Sequence, residues 1–275
     1  MPFITKEDRD KFAVTGKVGL IASVSPDGYP HIAFINTIQA IGDDEIIWGE
    51  FVHGLVKMNL NENPKAGFLV LNPEKEWWNG KALQTRVRDS GPEHEQLNSA
   101  PLFRYNTYFG IGKVHYMKVY SFSGKQKLPL GKVIKGALLG KFIKPVVQAS
   151  GKGIAKGTTW KLMKDMTSLK FISFVDEDGF PVILPVVQAS AKDRGRMIIP
   201  FSAYSEELGK IKPGAKAALY LCNLDLVTVL LQGTYLGTRK KGGVKYGLFD
   251  IEKVYNSMPP ITGYVYPPQE MKIVH

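Results

Sequence analysis

A ten-residue stretch occurs twice in this chain at a fixed spacing, and the repeat restricts the folds that the chain can adopt. The first copy reads SPDGYPHIAF, and a second copy that is only partly identical reads DEDGFPVILP. An offset of 151 positions carries Asp27-Gly28 onto Asp178-Gly179 and, without a gap, carries further identities as far as Asn72 and Asn223. Apolar runs coincide throughout this stretch. We infer that the chain is one structural unit written twice.

Each copy centres on the sequence of a β-hairpin. An Asp-Gly pair between two apolar runs predicts a tight reversing turn, because glycine adopts a positive φ at no steric cost. Further short strands follow, separated in the first unit by a helix over HGLVKMNLNENP that ends at Asn63-Pro64. Such strands, at regular spacing with turns between them, predict a mainly β fold of small antiparallel barrels. Late in the two units, KVY at 118–120 is matched with KVY at 253–255.

Length and composition are typical of an intracellular protein with two domains. The chain has 275 residues, of which 44% are hydrophobic, enough for two cores of ordinary size. No apolar run reaches the roughly twenty residues that a membrane helix needs. The charged N-terminus lacks the apolar centre of a signal peptide and predicts a short helix with Thr5 as its N-cap. A single cysteine, Cys222, excludes an internal disulfide, and no histidines pair at metal-ligand spacing. We therefore expect a cytoplasmic protein without a metal site.

The first half of the chain resembles a known family. The run from PDGYPH through DDEIIWG to VKMNLNENPKAG is similar to the FMN-binding split-barrel superfamily, the pyridoxamine 5'-phosphate oxidase-like proteins. The resemblance covers nearly all of 1–124 and, more faintly, 158–275. It implies a mainly β fold of two tandem split β-barrels, joined by a basic helical linker at 125–157. The two barrels would form an intrachain pseudo-dimer with flavin between them, and a further homodimer stays open.

The resemblance also implies where the cofactor binds. In the family, the phosphate of FMN is held at the end of a strand and on the following helix, which here read WGEFVHGLVK. Lys57 is the expected phosphate partner, assisted by His53 and the amides at the start of the helix. The strand AFINTI would offer polar groups to the edge of the flavin ring. The predicted cofactor-binding residues are Asn36, Thr37, Trp48, Gly49, Glu50, His53 and Lys57.

Two departures from the family pattern bear on this site. Glu50 stands where the family usually has Ser or Thr, and a carboxylate there repels a phosphate. Lys57 also lies one residue nearer the proline than the family's usual basic residue. The second unit departs further, since Leu208 stands where Lys57 stands in the first. We therefore expect one flavin per chain, beside the helix of the first barrel, with the second barrel as a structural partner.

Positive charge is concentrated in one part of the chain. The formal net charge is +11, yet no Asp or Glu occurs from Gln96 to Lys164. Within this span, residues 128–148 carry apolar side chains at near-helical spacing with lysines between them, which predicts an amphipathic linker helix. Its apolar residues are Val133, Ile134, Ala137, Leu138 and Phe142. Two interpretations stay open: a solvated linker whose apolar face lies on a barrel, or a docking site in segment 96–164 for an anionic surface or ligand.

The resemblance indicates a function that the residues alone do not specify. It implies an FMN-dependent oxidoreductase that acts on a small molecule. No catalytic side chain is predicted, because in such enzymes the flavin carries out the electron chemistry and the protein orients it. Two alternatives from other classes stay open: a non-catalytic protein that binds haem, flavin or a deazaflavin, and a cofactor-free interaction module.

Overall fold

The fold consists of two antiparallel β-sheets, one in each half of the chain. The computed structural model describes residues 3–51, 54–100, 110–143, 153–256, 261–267 and 272–273. The first half contains α1 (Lys6–Phe12), β1 (Val18–Val24), β2 (Pro30–Phe34), β3 (Gln39–Ala40), β4 (Glu45–Glu50), α2 (Leu55–Glu62), β5 (Lys65–Leu71), β6 (Glu76–Arg88), α3 (Pro92–Asn98) and β7 (Lys113–Phe122). The connection contains β8 (Gln126–Lys127) and α4 (Leu130–Phe142). The second half contains α5 (Gly157–Lys164), β9 (Leu169–Val175), β10 (Pro181–Pro185), β11 (Ser190–Asp193), β12 (Arg196–Pro200), α6 (Ser205–Gly209), β13 (Ala215–Cys222), β14 (Thr228–Lys241), β15 (Val244–Asn256), β16 (Ile261–Tyr266) and β17 (Lys272–Ile273).

The strands of the two sheets follow the same order. The first sheet runs β2-β1-β5-β6-β7-β4-β3, and β8 pairs with β6. The second runs β10-β9-β13-β14-β15-β12-β11, and β16 pairs with β15 and β17. The predicted fold class, two tandem split β-barrels with short helices and a helical linker, is confirmed.

The offset of 151 extends beyond the stretch in which the sequence shows it. Lys65 on β5 pairs with Leu83 on β6, and Lys216 on β13 pairs with Thr234 on β14. Lys216 follows Lys65 by 151 positions, and Thr234 follows Leu83 by the same 151 positions. The duplication thus includes the long hairpin of each unit, where few side chains are identical.

The units differ in length between their two longest strands. Ala82 on β6 pairs with Val119 on β7, whereas the counterpart of Ala82, Gly233 on β14, pairs with Ile251 on β15. The offset therefore falls from 151 to 132, because the first unit connects these strands through α3 and the second through a tight glycine turn. Matching the two KVY triplets is wrong by three positions, since Val119 corresponds to Ile251 and not to Val254.

The N-terminal helix begins at the predicted cap. The backbone N–H of Asp8 donates to Thr5 Oγ1 at 3.1 Å, and the backbone N–H of Thr5 donates to the Asp8 carboxylate at 3.1 Å. This reciprocal pair is a capping box, which satisfies two N–H groups that the helix leaves unpaired. The second oxygen of Asp8 accepts a hydrogen bond from Trp78 Nε1 at 2.7 Å. The cap therefore also fixes α1 to the first barrel.

Each Asp-Gly hairpin is held by a lysine from the other barrel. Lys65 Nζ on β5 donates to the carbonyl oxygen of Asp178 at 2.6 Å. The equivalent Lys216 Nζ on β13 donates to the carbonyl oxygen of Asp27. These two contacts obey the offset of 151, so the two barrels face each other across a pseudo-twofold axis. We call this pair of contacts the hairpin clasp.

A second lysine reinforces each side of the hairpin clasp. Lys81 Nζ on β6 lies 2.8 Å from Asp178 Oδ2, and Lys253 Nζ on β15 bonds to the carboxylate of Asp27. Each ammonium also lies over the aromatic ring that follows the glycine of the hairpin, 4.3 Å from the centroid of Tyr29 for Lys253 and 5.8 Å from Phe180 for Lys81. Cation–π contacts of this kind add to the ion pairs at the interface.

The barrels share one hydrophobic core beneath the hairpin clasp. Leu20, Ile32 and Leu69 of the first barrel belong to the same buried cluster as most of the core of the second barrel. The backbones approach so closely that a methyl group on Gly67 of β5 would overlap the carbonyl oxygen of Pro181 on β10. Glycine is required at this position by space, because any side chain would separate the sheets.

The linker helix α4 lies on the second barrel through two glycines and Val133, one residue of the predicted apolar face. Val133, Gly136 and Gly140 are buried, whereas Ile134 and Phe142 are exposed. The predicted linker contributes to both halves, since β8 extends the first sheet and α4 contacts β12 and β11 of the second. None of the helices in the described ranges is long and apolar enough to span a membrane.

We predict that Gly67→Ala destabilises the protein by about 2–3 kcal/mol, because the added methyl overpacks the contact between the barrels. Gly131→Ala is the matched control, since nothing lies within 4 Å of the position and alanine favours the helix. Denaturant unfolding of both variants measures the difference. Equal stability of Gly67→Ala and wild type would show that the sheets are not in close contact there.

Candidate functional site

The predicted cofactor residues lie where the turn after β2 meets the end of β4. The backbone N–H of Gly49 donates to Thr37 Oγ1 at 3.0 Å, and this hydroxyl donates in turn to the Gly49 carbonyl at 3.3 Å. Thr37 is buried, whereas the neighbouring Asn36 is exposed. The side chain of Thr37 therefore closes the backbone at this end of the barrel, and Asn36 is the freely accessible polar group.

Beside this turn, a buried cluster of ionisable groups joins β4, α2 and β7. Lys57 Nζ on α2 lies 2.8 Å from Glu50 Oε1, and His115 Nε2 on β7 lies 3.0 Å from Glu50 Oε2. The other ring nitrogen of His115 lies 2.9 Å from Gln84 Oε1. The indole of Trp48 stacks on the imidazole, with ring centres 3.9 Å apart and planes 4° from parallel. We call these residues the buried ion cluster.

Burial determines the charge state of the buried ion cluster. Removal from water lowers the pKa of Lys57, against the opposing effect of Glu50. Removal from water also lowers the pKa of His115, with Glu50 again opposing. The cluster therefore contains an ammonium, a carboxylate and an imidazole, and burial favours the neutral form of the imidazole. The two charges cancel within one ion pair.

This arrangement does not suit a phosphate group. A phosphate at Lys57 would have to displace Glu50, whose two oxygens are held by Lys57 and His115. Removing one partner from a buried ion pair costs about 3–5 kcal/mol. On the outer side, Ile111 packs against Gly49 and leaves no room for a side chain there. The contacts of Glu50 with Lys57 and His115 explain why a carboxylate is tolerated at this position.

The structure brings most of the predicted residues together and adds two that the sequence did not reveal. Thr37, Trp48, Gly49, Glu50 and Lys57 are neighbours, while His53 lies outside the described residues. The added residues are His115 and Gln84. His115 faces Trp48 across the β4–β7 pair. Only the strand register, which joins positions far apart in sequence, could have identified it.

The equivalent region of the second barrel contains no ion cluster among the described residues and is covered by α4. Gln188, at the position of Thr37, donates through Nε2 to the carbonyl of Pro200 at 3.1 Å, as Thr37 does to Gly49. Leu208 is fully buried at the position of Lys57. Gly136 of α4 packs so closely on Ser202 and Gln188 that no side chain fits between them. A cofactor cannot reach this end of the second barrel without moving the helix.

A cavity of about 1000 Å³ opens between the two barrels, on one side of the pseudo-twofold axis. The first barrel contributes the middle of β6 and the end of β7, and the second contributes the β9–β10 hairpin and the region of α6. The lining residues are 79–81, 121–123, 174–178, Val182, Glu207, 209–212 and Ala215. The apolar part of the wall comes from Phe122, Phe174, Val182 and Ile211. We call this space the inter-barrel cavity.

A carboxylate pair lines the inter-barrel cavity next to the hairpin clasp. Lys81 bonds to both Asp176 and Asp178. Burial raises the pKa of Asp176, and the neighbouring Asp178 raises it further. The hydrogen bonds of Asp178 with Asp176 and with Lys81 lower the pKa of Asp178. Asp176 Oδ1 is buried, and within the described part of the chain no donor reaches it. This oxygen is enclosed by the protein and is not itself part of the cavity surface.

Aromatic side chains occupy the equivalent place on the other side of the axis. Tyr255 stands at the position of Ser123, and its ring lies 4.6 Å from His31 and 5.2 Å from Tyr264 of β16. The Tyr264 hydroxyl donates to Gln232 Oε1 at 2.8 Å. His31 itself corresponds to Val182 of the cavity wall. The pseudo-symmetry is therefore broken, with an open cavity on one side and a packed aromatic cluster on the other.

In the ranges that the structure describes, no group of three or more His, Cys, Asp or Glu side chains could hold a metal ion. Three of the carboxylates that line the inter-barrel cavity are paired with lysines: Lys81 bridges Asp176 and Asp178, and Lys212 pairs with Glu177. The chemistry that this region supports is therefore the binding of an organic ligand against an apolar wall.

Comparisons with known proteins were made at the levels of family, sequence and structure. No protein family matches the chain. No curated protein matches it either. Among solved structures, an FMN-binding protein from Syntrophomonas wolfei is 19% identical, with a TM-score of 0.38, and the match covers 44% of this chain and 84% of that one.

Two further structures match to a similar extent. HupZ from Group A Streptococcus is 19% identical with a TM-score of 0.36, over 43% of this chain and 91% of its own. General stress protein 26 from Bacillus anthracis is 13% identical with a TM-score of 0.34, over 45% of this chain and 98% of its own. At these values the likeness concerns the fold alone. Within this chain, the equal strand order of the two sheets fits a tandem duplication.

The aromatic cluster generates a prediction about acid stability. Burial lowers the pKa of His31 to about 4 from an ordinary value of 6.5. Because the unfolded chain binds the proton first, His31 contributes stability that is lost as the pH falls from 6.5 towards 4. We expect the loss to reach about 3 kcal/mol, and His31→Phe, which keeps the ring contact with Tyr255, to remove it.

The measurement is denaturant unfolding of wild type and His31→Phe at several pH values in this window. The informative quantity is the difference between the two curves, because the carboxylates of both proteins titrate alike. Parallel curves would show that the folded protein protonates His31 at its ordinary pKa.

Proposed function

We propose that the two barrels together bind one flavin-type cofactor in the inter-barrel cavity, and that the protein is an oxidoreductase acting on a small molecule. The observation that carries this proposal is the cavity itself, with about 1000 Å³ of space between two barrels and an apolar wall. Ligand sites of this size, apolar with a few convergent polar groups, are typical of cofactors at domain interfaces. Both halves of the chain are needed to form it.

The lining suits the ring of a flavin. Phe122, Phe174 and Val182 provide apolar and aromatic surface for a flat conjugated ring. Asn79, Ser121 and Ser123 place polar groups on the same lining, and Lys81 holds Asp176 in place. When bound, the flavin supplies the electron-transfer chemistry. The protein's own part is to exclude water from one face of the ring and to orient its polar edge.

The lining does not suit a buried phosphate. Four carboxylates line the cavity, Asp176, Glu177, Asp178 and Glu207, against three lysines, Lys81, Lys210 and Lys212. Lys81 is taken up by two of the carboxylates, and Lys212 lies 2.9 Å from Glu177. A phosphate dianion gains little in such surroundings. We therefore propose that the ring is the recognised part of the cofactor and that a phosphate would extend towards solvent.

The alternative placement, with FMN phosphate at Lys57 and the neighbouring predicted residues, stays a prediction. It requires the buried ion cluster to open, so that Glu50 leaves Lys57. The two placements differ in what they predict for a flavin without phosphate. In the inter-barrel cavity, riboflavin and FMN bind similarly, whereas at Lys57 the phosphate adds roughly 1.5–3 kcal/mol as a charge-assisted contact.

The first test places a tyrosine in the inter-barrel cavity, as in the aromatic cluster on the other side of the pseudo-twofold axis. We expect Ser123→Tyr, which copies Tyr255 of the other side, to weaken riboflavin binding at least about tenfold, because the ring takes the space of the ligand. Ser90→Tyr, at an exposed position outside the cavity, is the matched control and should bind as wild type does. Quenching of flavin fluorescence measures the affinity. Unchanged binding by Ser123→Tyr would place the flavin elsewhere.

The second test separates the two placements. We expect FMN and riboflavin to bind wild type within about threefold of each other, and Glu50→Gln/Lys57→Met to leave both affinities unchanged, because that double variant removes an ion pair outside the cavity. Tighter binding of FMN that the double variant abolishes would establish the site at Lys57. Anaerobic bleaching of the bound flavin by a nicotinamide donor would support the oxidoreductase assignment. A protein that binds neither flavin would overturn the proposed function.

A further inference from the structure

The linker helix α4 contacts the second barrel through a glycine face. Gly136 packs on Ser202 and Gln188, and Gly140 packs on Ser190. Lys192 Nζ on β11 donates to the carbonyl of Gly140 and fixes the helix near its end. The helix therefore lies flat and close on the barrel, with an orientation that its smallest residues determine.

The opposite face of α4 carries a row of large apolar side chains. Leu130, Ile134, Leu138 and Phe142 are spaced four residues apart and are 41%, 58%, 49% and 83% exposed. Side chains at this spacing lie side by side along a helix, and the row is about 18 Å long. Nothing in the described part of the chain covers it. An exposed apolar row of this kind on a folded protein indicates a surface that binds something.

The charges around the apolar row all have one sign. Lys132, Lys135 and Lys141 are exposed on the same helix, and the sequence has no acidic residue from Gln96 to Lys164. A second copy of the chain would bring these lysines against their own equivalents, which is unfavourable. The phosphates of a nucleic acid would pair with the lysines but would leave the apolar row in water. A surface with anionic groups above an apolar layer satisfies both features.

We propose that α4 docks the protein on a membrane surface that contains anionic lipids. In such docking an amphipathic helix lies in the plane of the interface, inserts its apolar side chains among the acyl chains and places its lysines at the headgroups. Lysine stems are long enough to reach the headgroups from the side of an inserted helix. The helix here is held by the barrel in the required orientation, so little ordering is lost on binding. This function is independent of the flavin site, because the apolar row and the inter-barrel cavity share no residue.

The test is flotation of the full chain with vesicles of phosphatidylcholine, alone or with phosphatidylserine. We expect binding to the anionic vesicles that weakens as salt rises. Lys132→Gln/Lys135→Gln/Lys141→Gln should lower partitioning about a hundredfold, at about fivefold per lysine. Ile134→Ser/Leu138→Ser/Phe142→Ser should lower it at least about tenfold, through lost insertion. The changed residues are exposed, so both variants should unfold at the wild-type denaturant concentration.

Matched controls change the same residue types elsewhere. Leu224→Ser/Leu226→Ser removes exposed apolar side chains between β13 and β14, and Lys6→Gln/Lys161→Gln/Lys240→Gln removes three exposed lysines outside α4. Both should bind vesicles as wild type does. Equal loss in the lysine control would show a general charge effect and overturn the assignment to α4.

Other outcomes would also overturn the proposal. No binding to anionic vesicles at low salt would exclude the lipid surface. Binding to duplex DNA that the lysine variant loses and the serine variant keeps would make the helix a nucleic-acid site. A wild-type dimer in sedimentation that the serine variant converts to a monomer would make the apolar row an interface between copies.

Discussion

The contact between the two barrels is the constraint on which the rest of the structure depends. Each Asp-Gly turn of one barrel reaches a lysine on the sheet of the other, and Lys65 and Lys216 make the same bond to Asp178 and Asp27. These bonds are exposed to solvent, whereas Leu20, Ile32 and Leu69 are fully buried in the core that both barrels share. Burial of apolar surface therefore holds the barrels together, and the hairpin clasp marks the symmetric orientation that leaves the inter-barrel cavity between them.

The duplicated units differ in space and charge at a few positions that shape the cavity and the buried ion cluster. A tyrosine at 255 in place of a serine at 123 accompanies a packed aromatic cluster on one side and a cavity on the other. Lys57 with its ion partner in one barrel is a buried leucine in the other. Such changes preserve the strand register while they remove or create space and charge. The result is a cavity on one side of the pseudo-twofold axis and a packed aromatic cluster on the other.

The helix α4 shows how one element can serve two purposes. Its glycines let it approach the second barrel closely enough to cover Gln188 and Ser202, where the first barrel has its buried ion cluster. The same close approach directs the large apolar side chains away from the barrel. A helix with leucines in place of Gly136 and Gly140 could not lie as close. The same two residues, Gly136 and Gly140, therefore let the helix cover the second barrel and direct the apolar row outward.

The sequence by itself determined the duplication, the hairpins, the N-cap at Thr5 and the mainly β class, because turn chemistry and strand spacing act over a few neighbouring residues. Five of the seven site residues that were predicted from the sequence are neighbours in the structure. The tertiary structure alone decided that Glu50 neutralises Lys57 and that His115 completes the cluster, since strand register joins residues about sixty-five positions apart. It likewise decided which face of α4 is buried, because close packing selected the glycines over the larger apolar side chains that the helical spacing had indicated.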